Sequence, residues 1–282
     1  MTTQAPHELD VAVREAVLEL EDRNFTSPEV FLLLGTGADD MTQLFDGPME
    51  ASLGELSTCP SAWKDGTLCA GQIQGVRVWA LTDAPDPDQI PWARAWPVWL
   101  ARAAGAGACL VTAAGSALPL AEDSTIKEDF LFVSDHLSLD GASTLMGLAR
   151  SNLGPLFPDQ GRVHDDVLRS DLMQVALHKG LPCAEGVLAC APGPAIETPA
   201  EREYYARAGA HASAQELGAV FHAMAHSGLS GITLIAMLGD PEVSVEELLK
   251  TANRLAPGLI ELIQAAIDPL AIRCRLEKEE EL

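Results

Sequence analysis

The sequence predicts an α/β protein, a single domain over residues 1–282 with a mixed central β-sheet flanked by helices. Three observations carry that prediction. Short, continuous apolar runs recur along the chain, and helical periodicities separate several of them. No Ser/Gly/Pro-rich linker and no fixed-period repeat divides it. Continuous apolar strands alternating with helices belong to sheets covered on both faces.

Residues 7–22 read as an amphipathic helix, because Leu9, Val13, Val17 and Leu20 fall on one face. Strand-like runs follow at 30–34, 76–81, 109–112, 130–133, 186–190 and 232–236. Helical patterns at 92–104, 165–179 and 214–226 lead into the third, fifth and sixth of them. A further helix opens at Thr198, which caps it with Pro199 in the first turn and Glu201 completing a capping box. The last helix runs from about 245 to 267 and is bent or interrupted near Pro257. The loops 83–91 (DAPDPDQIP) and 141–161 are irregular, and long loops inside a compact domain are often functional. The closing RLEKEEEL reads as a charged tail, a solvated helix end or a fray.

Composition narrows the partners. With 48% hydrophobic and 21% charged residues the chain can fill a globular core. Its 41 acids against 18 bases give a net charge of −23. That field repels nucleic acid and anionic membrane surfaces, because no basic stripe is present to release counterions. The six cysteines form no C-x-x-C pair, and several lie in apolar runs as small buried hydrophobes. The N-terminal MTTQAPHELD lacks the basic and apolar regions of a secretory signal, and no apolar run approaches the roughly 20 residues that span a bilayer. A reduced, cytoplasmic protein is the expectation. His222 and His226 stand i, i+4, but no nearby acid or cysteine completes a metal set, so no metal and no organic cofactor is expected.

Two stretches carry chemistry. In VFLLLGTGADD (30–40) a strand ends in Gly35-Thr36-Gly37, where glycines let backbone approach an anion closely. No Gly-Lys-Ser/Thr follows, and Asp40 stands where a dinucleotide loop needs its third glycine. In CAPGPAIETPAERE (190–203), Glu197 sits at a strand-to-helix turn, where ligands commonly bind and a carboxylate can accept the N–H groups of a base.

Gly-Pro-x-x-Glu-Thr with Ala-Glu just beyond resembles the purine-binding segment of trimeric purine nucleoside phosphorylases. The likeness runs in order over most of the chain. GTG resembles that family's Gly-Ser-Gly phosphate loop, and LARAAGAGACLVTAAGSAL its strand and Asn-Ala-Ala-Gly-Gly turn. FVSDHLSL is similar to its Asp-His-Ile/Leu-Asn-Leu strand end, and GPLFPD to its Arg-Phe-Pro segment. The resemblance implies the nucleoside phosphorylase fold, a homotrimer, and cleavage of the N-glycosidic bond of purine nucleosides with phosphate as co-substrate. It implies Glu197 as purine anchor, Ile196 packing on the base and Gln215 near the ribose. It also implies a phosphate loop of Gly35, Thr36 and Gly37, completed by the backbone near Ala114. SVEELLKTA resembles the related methylthioadenosine phosphorylases. There Val245 replaces a histidine near the ribose 5′ end, which suits a 5′-modified nucleoside with a thioether or deoxy group.

The departures gather on the phosphate site. The family's Gly-Arg-x-His segment corresponds to TDAPDPDQIP, which has three aspartates and no base. Glu216 falls where the family has its phosphate-binding serine, Ala113 where it has an asparagine, and Gly239-Asp240 where an asparagine contacts the base. Like charges beside a phosphate dianion disfavour its binding. Three readings follow: a phosphorylase with a rearranged phosphate site using a base such as Arg94 or Arg150, a hydrolase, or a silent nucleoside-binding relative. In the hydrolase Glu216 is the general base and Asp240 the general acid. As plain structure, Glu216 would complement a helix dipole and Asp240, before Pro241, would be a turn residue.

Overall fold

The structure, a computed structural model, describes residues 5–82, 85, 90–120, 125–139, 141, 143–239 and 244–280. All six apolar runs form strands: β1 (Val30–Leu33), β4 (Val76–Leu81), β5 (Ala108–Ala117), β6 (Phe130–Ser138), β7 (Cys183–Ala191) and β9 (Ser230–Met237). Three more strands complete the sheet: β2 (Asp46–Ser52), β3 (Thr67–Ile73) and β8 (Ala212–Gln215). The last corrects the helix expected from residue 214. Its small residues lie flat between neighbours, with Cys190 opposite Ala214 and Ala191 opposite Gln215 in a parallel ladder. The helix begins only at Leu217.

The strand order β2-β3-β4-β1-β5-β8-β7-β6-β9, with a further β5–β9 pairing, has two parts. An open arm runs from β2 to β5. The strands β5, β8, β7, β6 and β9 then return to β5 and close a ring. Strand β5 serves both: residues 108–111 pair with β1, 108–115 with β9 and 116–117 with β8. The sheet is mixed, as expected: β1, β4, β5 and β9 run parallel, while β2–β3, β3–β4, β5–β8 and β6–β9 are antiparallel.

Helices cover both faces. On one, α1 (Glu8–Asp22), α2 (Trp96–Ala104) and α5 (Leu217–Ser227) pack over a core that includes Trp63, Trp96, Trp99 and Phe221. All five tryptophans are buried. Three of them donate their ring N–H inside the fold, Trp63 to the Ala93 carbonyl at 2.8 Å, Trp79 to that of Thr26 at 3.0 Å and Trp99 to His226 Nδ1 at 3.1 Å. On the other face lie α3 (Asp166–His178) and α6 (Val245–Glu280). The short α4 (Pro199–Arg207) follows β7, and Thr198 and Glu201 form the expected capping box.

Helix α6 runs past the expected end near residue 267 and is not interrupted at Pro257 or Pro269. It continues through the charged tail to Glu280, which is thus a helix end rather than a fray. Its stripe of Leu255, Leu259, Leu262, Ile263, Ala266, Ile267 and Leu270 is buried in the core. That packing holds the helix together across positions where proline removes a backbone donor. By length and composition Val245–Leu276 also meets the requirement for a bilayer span, which the unbroken-run criterion did not detect. Its apolar stripe packs on the sheet instead.

The β5–β9 contact requires Gly231. A Cβ there would press into the Cys109 backbone. Gly231→Ala is therefore expected to lower unfolding free energy by about 1–3 kcal/mol, seen as a lower urea midpoint at unchanged slope. An unchanged midpoint would show that these strands can separate freely.

Candidate active site

The loops leaving β1, β7 and β8 gather around residues 112–115 of β5. After β1 the amide of Leu34 still donates to the Leu81 carbonyl at 2.8 Å. Gly35 then donates its amide to Thr112 Oγ1 on β5 at 3.0 Å. Its missing Cβ would lie 2.9 Å from the Thr112 carbonyl and 3.0 Å from Ala113 Cα, so the loop can approach β5 this closely only with glycine. Thr36 is exposed at the tip, and Gly37, with φ of 94°, turns the chain back against Leu259 of α6. The residues expected to hold phosphate are thus partly gathered: Gly35 abuts Ala113, the neighbour of half-buried Ala114.

From β5 the belt continues to β8. A Cβ on Gly115 would lie 2.8 Å from the Ser213 carbonyl. Gln215, at the end of β8, donates its side-chain amide to the Ala195 carbonyl at 2.8 Å, and the Glu216 amide donates to that of Ala191 at 2.9 Å. These two bonds pin the segment that carries Ile196 and Glu197. Ile196 is exposed and Glu197 half-buried. The Glu197 carboxylate makes no hydrogen bond or ion pair among the described residues, leaving both oxygens available as acceptors.

Glu216 departs furthest from a plain helix start. It holds a left-handed φ of 64°, uncommon for a residue with a Cβ, and its carboxylate makes no capping bond to α5. It pairs with the Arg94 guanidinium, reached from the short 3₁₀ turn before α2, and both side chains are 28% exposed. Gly193 makes room for it, since a Cβ there would lie 2.8–3.0 Å from the Glu216 side chain. Arg94 carried a signal: it is the lone base between Arg77 and Arg102, just past the acidic loop. Its partner was not legible, nor was the role of Thr112. Asp240 and the aspartates of the 83–91 loop lie outside the described residues. Val245 is exposed at the first turn of α6, where Ser244 and Glu247 cap the helix, and the structure does not draw it into the belt.

Three of the histidines, His136, His164 and His226, pack in or against the core. His136 Nδ1 and His164 Nε2 lie 3.1 Å apart, and both rings pack on Phe221 with centroids 4.7 and 4.8 Å away. His164 Nδ1 is buried without a partner, which favours the neutral tautomer that donates from Nε2 to His136. Burial above all, then the neighbouring His136 and Arg169, holds the His164 pKa down at about 3. His226 accepts from Trp99, and no group of three or more potential metal ligands gathers among the described residues. A cavity of about 650 Å³ lined by Asp159, Arg162, His164, Asp165 and Arg273 opens where α5 ends and β9 begins. Glu216 and Ala236 sit at the opposite ends of those two elements, so it is separate from the belt.

Comparison with known proteins places this geometry. The profile of the phosphorylase superfamily matches residues 50–268. Purine nucleoside phosphorylase 1 of Bacillus subtilis (strain 168) is 24% identical over 256 residues, covering 86% of this chain and 92% of that protein. The Geobacillus stearothermophilus protein of the same name is 25% identical over 275 residues, covering 92% and 98%. Among solved structures, isoform 2 of purine nucleoside phosphorylase from Schistosoma mansoni, in complex with cytosine and ribose-1-phosphate, superposes with a TM-score of 0.84 at 18% identity, covering 91% of this chain and 95% of that one. The schistosoma enzyme in complex with hypoxanthine gives 0.82 at 20% identity, covering 93% and 98%. The shared fold is a single mixed sheet flanked by helices.

His164 makes stability depend on pH. Unfolded, it takes up a proton near pH 6.5, whereas folded it resists until about 3. The unfolded state therefore gains protons first as pH falls, and stability drops through that window by up to about 1.4 kcal/mol per pH unit. In urea melts at pH 7.5, 6.0 and 5.0, His164→Leu is expected to lose less stability on acidification than the unaltered chain. Parallel losses would refute a neutral His164.

Proposed function

The chain belongs to the phosphorylase superfamily, and within it we propose that it cleaves the N-glycosidic bond of purine nucleosides. The observation that carries this reading is the belt itself. The loop after β1 rests on β5, β5 touches β8, and the end of β8 pins the Glu197 segment. A base, a ribose and a nucleophile can therefore be held side by side. The names of the curated relatives support the purine nucleoside as substrate.

In this proposal Glu197 accepts hydrogen bonds from the N–H edge of the base, Ile196 packs on the base face, and Gln215 lies toward the ribose. Gly35, Thr36, Gly37 and the backbone at Ala114 form the phosphate side, with phosphate as co-substrate. A 5′-modified nucleoside, suggested by Val245, rests on the sequence resemblance alone, because Val245 stands apart from this belt. Homotrimeric assembly and a cytoplasmic location belong to the same reading, which calls for no metal or organic cofactor. The protein's contribution is positioning and charge stabilisation of an oxocarbenium-like transition state.

The Arg94–Glu216 pair favours a second reading of the nucleophile. In the hydrolytic form Glu216 takes a proton from water as the water oxygen bonds to the anomeric carbon. The glycosidic C–N bond breaks, and the leaving nitrogen takes a proton from Asp240. Solvent then carries the proton from Glu216 back to Asp240.

Inosine, guanosine and methylthioadenosine, each incubated with and without phosphate, separate these readings. Base release that needs phosphate supports phosphorolysis, equal release without it supports hydrolysis, and no release with any of them overturns the enzymatic reading. Glu197→Ala is expected to lower kcat/KM roughly 10- to 150-fold, the range for losing a hydrogen bond to a charged group. Unchanged kinetics would remove Glu197 from the base site.

A further inference from the structure

The Arg94–Glu216 pair is built in rather than merely permitted. The Glu216 backbone is fixed by the hydrogen bond its amide donates to the Ala191 carbonyl and by a left-handed φ of 64°. Its side chain lies against Gly193, where any Cβ would crowd it. Strained backbone persists only where the surroundings over-determine it, and it gathers at working sites. Stability alone is a poor account of the pair, because a partly exposed ion pair contributes little. Nor does the carboxylate cap α5.

Charge supply at this end of the sheet explains more. Arg202 of α4 is engaged elsewhere, donating to the Ala117 carbonyl at 2.6 Å beside the start of β8. Arg94 is the lone base between Arg77 and Arg102, and a carboxylate of the chain itself occupies it. A free anion seeking that guanidinium must displace Glu216, and while it sits nearby it is repelled by the same carboxylate.

We propose that the Arg94–Glu216 pair is an internal lock against free phosphate. Glu216 stands as a tethered anion on Arg94, and Arg94 is the positioning residue that holds the carboxylate over the belt. The unaltered protein therefore has weak affinity for inorganic phosphate. Removing the carboxylate turns Arg94 into an anchor for phosphate-class anions. The catalytic side of this inference, work without phosphate, rests on the hydrolytic form of the reading above and stands against the form with phosphate as co-substrate. The anion-binding side rests on neither.

Titration of inorganic phosphate into the full-length protein, followed by calorimetry and by unfolding midpoint, tests it. Glu216→Ser and the near-isosteric Glu216→Gln are each expected to bind phosphate at least about tenfold more tightly than the unaltered chain. The double variant Arg94→Gln/Glu216→Ser is expected to lose that gain. The two single variants guard against one failing to fold. Equal phosphate affinity before and after the Glu216 changes, or a gain that survives loss of Arg94, overturns the lock. Phosphate-dependent base release by the unaltered chain overturns it too, while leaving glycosidic cleavage intact. Absence of any base release instead overturns the nucleoside reading, and the phosphate titration still decides the lock. Where release is measurable, Arg94→Gln should lower kcat more than it raises KM, and Arg94→Lys should restore kcat in part. An unchanged kcat in Arg94→Gln would deny Arg94 its positioning role.

Discussion

Strand β5 is the constraint on which the rest of the molecule depends. It belongs at once to the open arm, through β1, and to the closed ring, through β9 and β8. That junction works because its neighbours can come unusually near. Gly35 meets it at Thr112, Gly231 at Cys109, and its own Gly115 meets β8 at Ser213. Side chains at these three places would hold the loops and strands apart. The candidate site is thus the place where one strand exchanges partners, and its geometry follows from backbone proximity before any polar side chain is considered.

Charge is arranged around this frame with a surplus of acids. At the far end of the sheet, buried Glu29 draws in Arg77 from β4 and Arg275 from the end of α6. Such a carboxylate needs cations close by, because leaving a buried charge unpaired is costly. At the site end the relation is reversed, since one base, Arg94, answers one acid in a half-exposed setting.

The legible parts of the fold share a physical character. Buried strands such as β1 and β4 announce themselves by unbroken apolar runs, and α4 by its capping box. The missed strands lack that signature. β2 exposes all but one of its residues, and β8 is built of Ala, Ser and Gln. β3 carried a quieter signal: Gln74 and Gly75, with φ of 54° and 79°, make the two-residue turn that joins it to β4. At the site, the GTG turn after β1 and the capped turn that carries Glu197 are local motifs, whereas Glu216 stands out only against the family pattern. The Arg94–Glu216 contact spans 122 positions and the Gly35–Thr112 bond 77, and no local pattern encodes such distances.

The ring closes late in the sequence. Strand β9 begins at Ser230, and the helix that backs Gly37 through Leu259 follows it. During synthesis at about 5–20 residues per second, β1 and β5 leave the ribosome many seconds before these partners exist. Over that interval the edge of β5 that β9 will cover is unsatisfied, and an unpaired edge invites pairing with another chain. The stretch that carries β9 therefore serves the chain as its own chaperone, and a premature stop before β9 is complete would leave a molecule with its adhesive edge exposed.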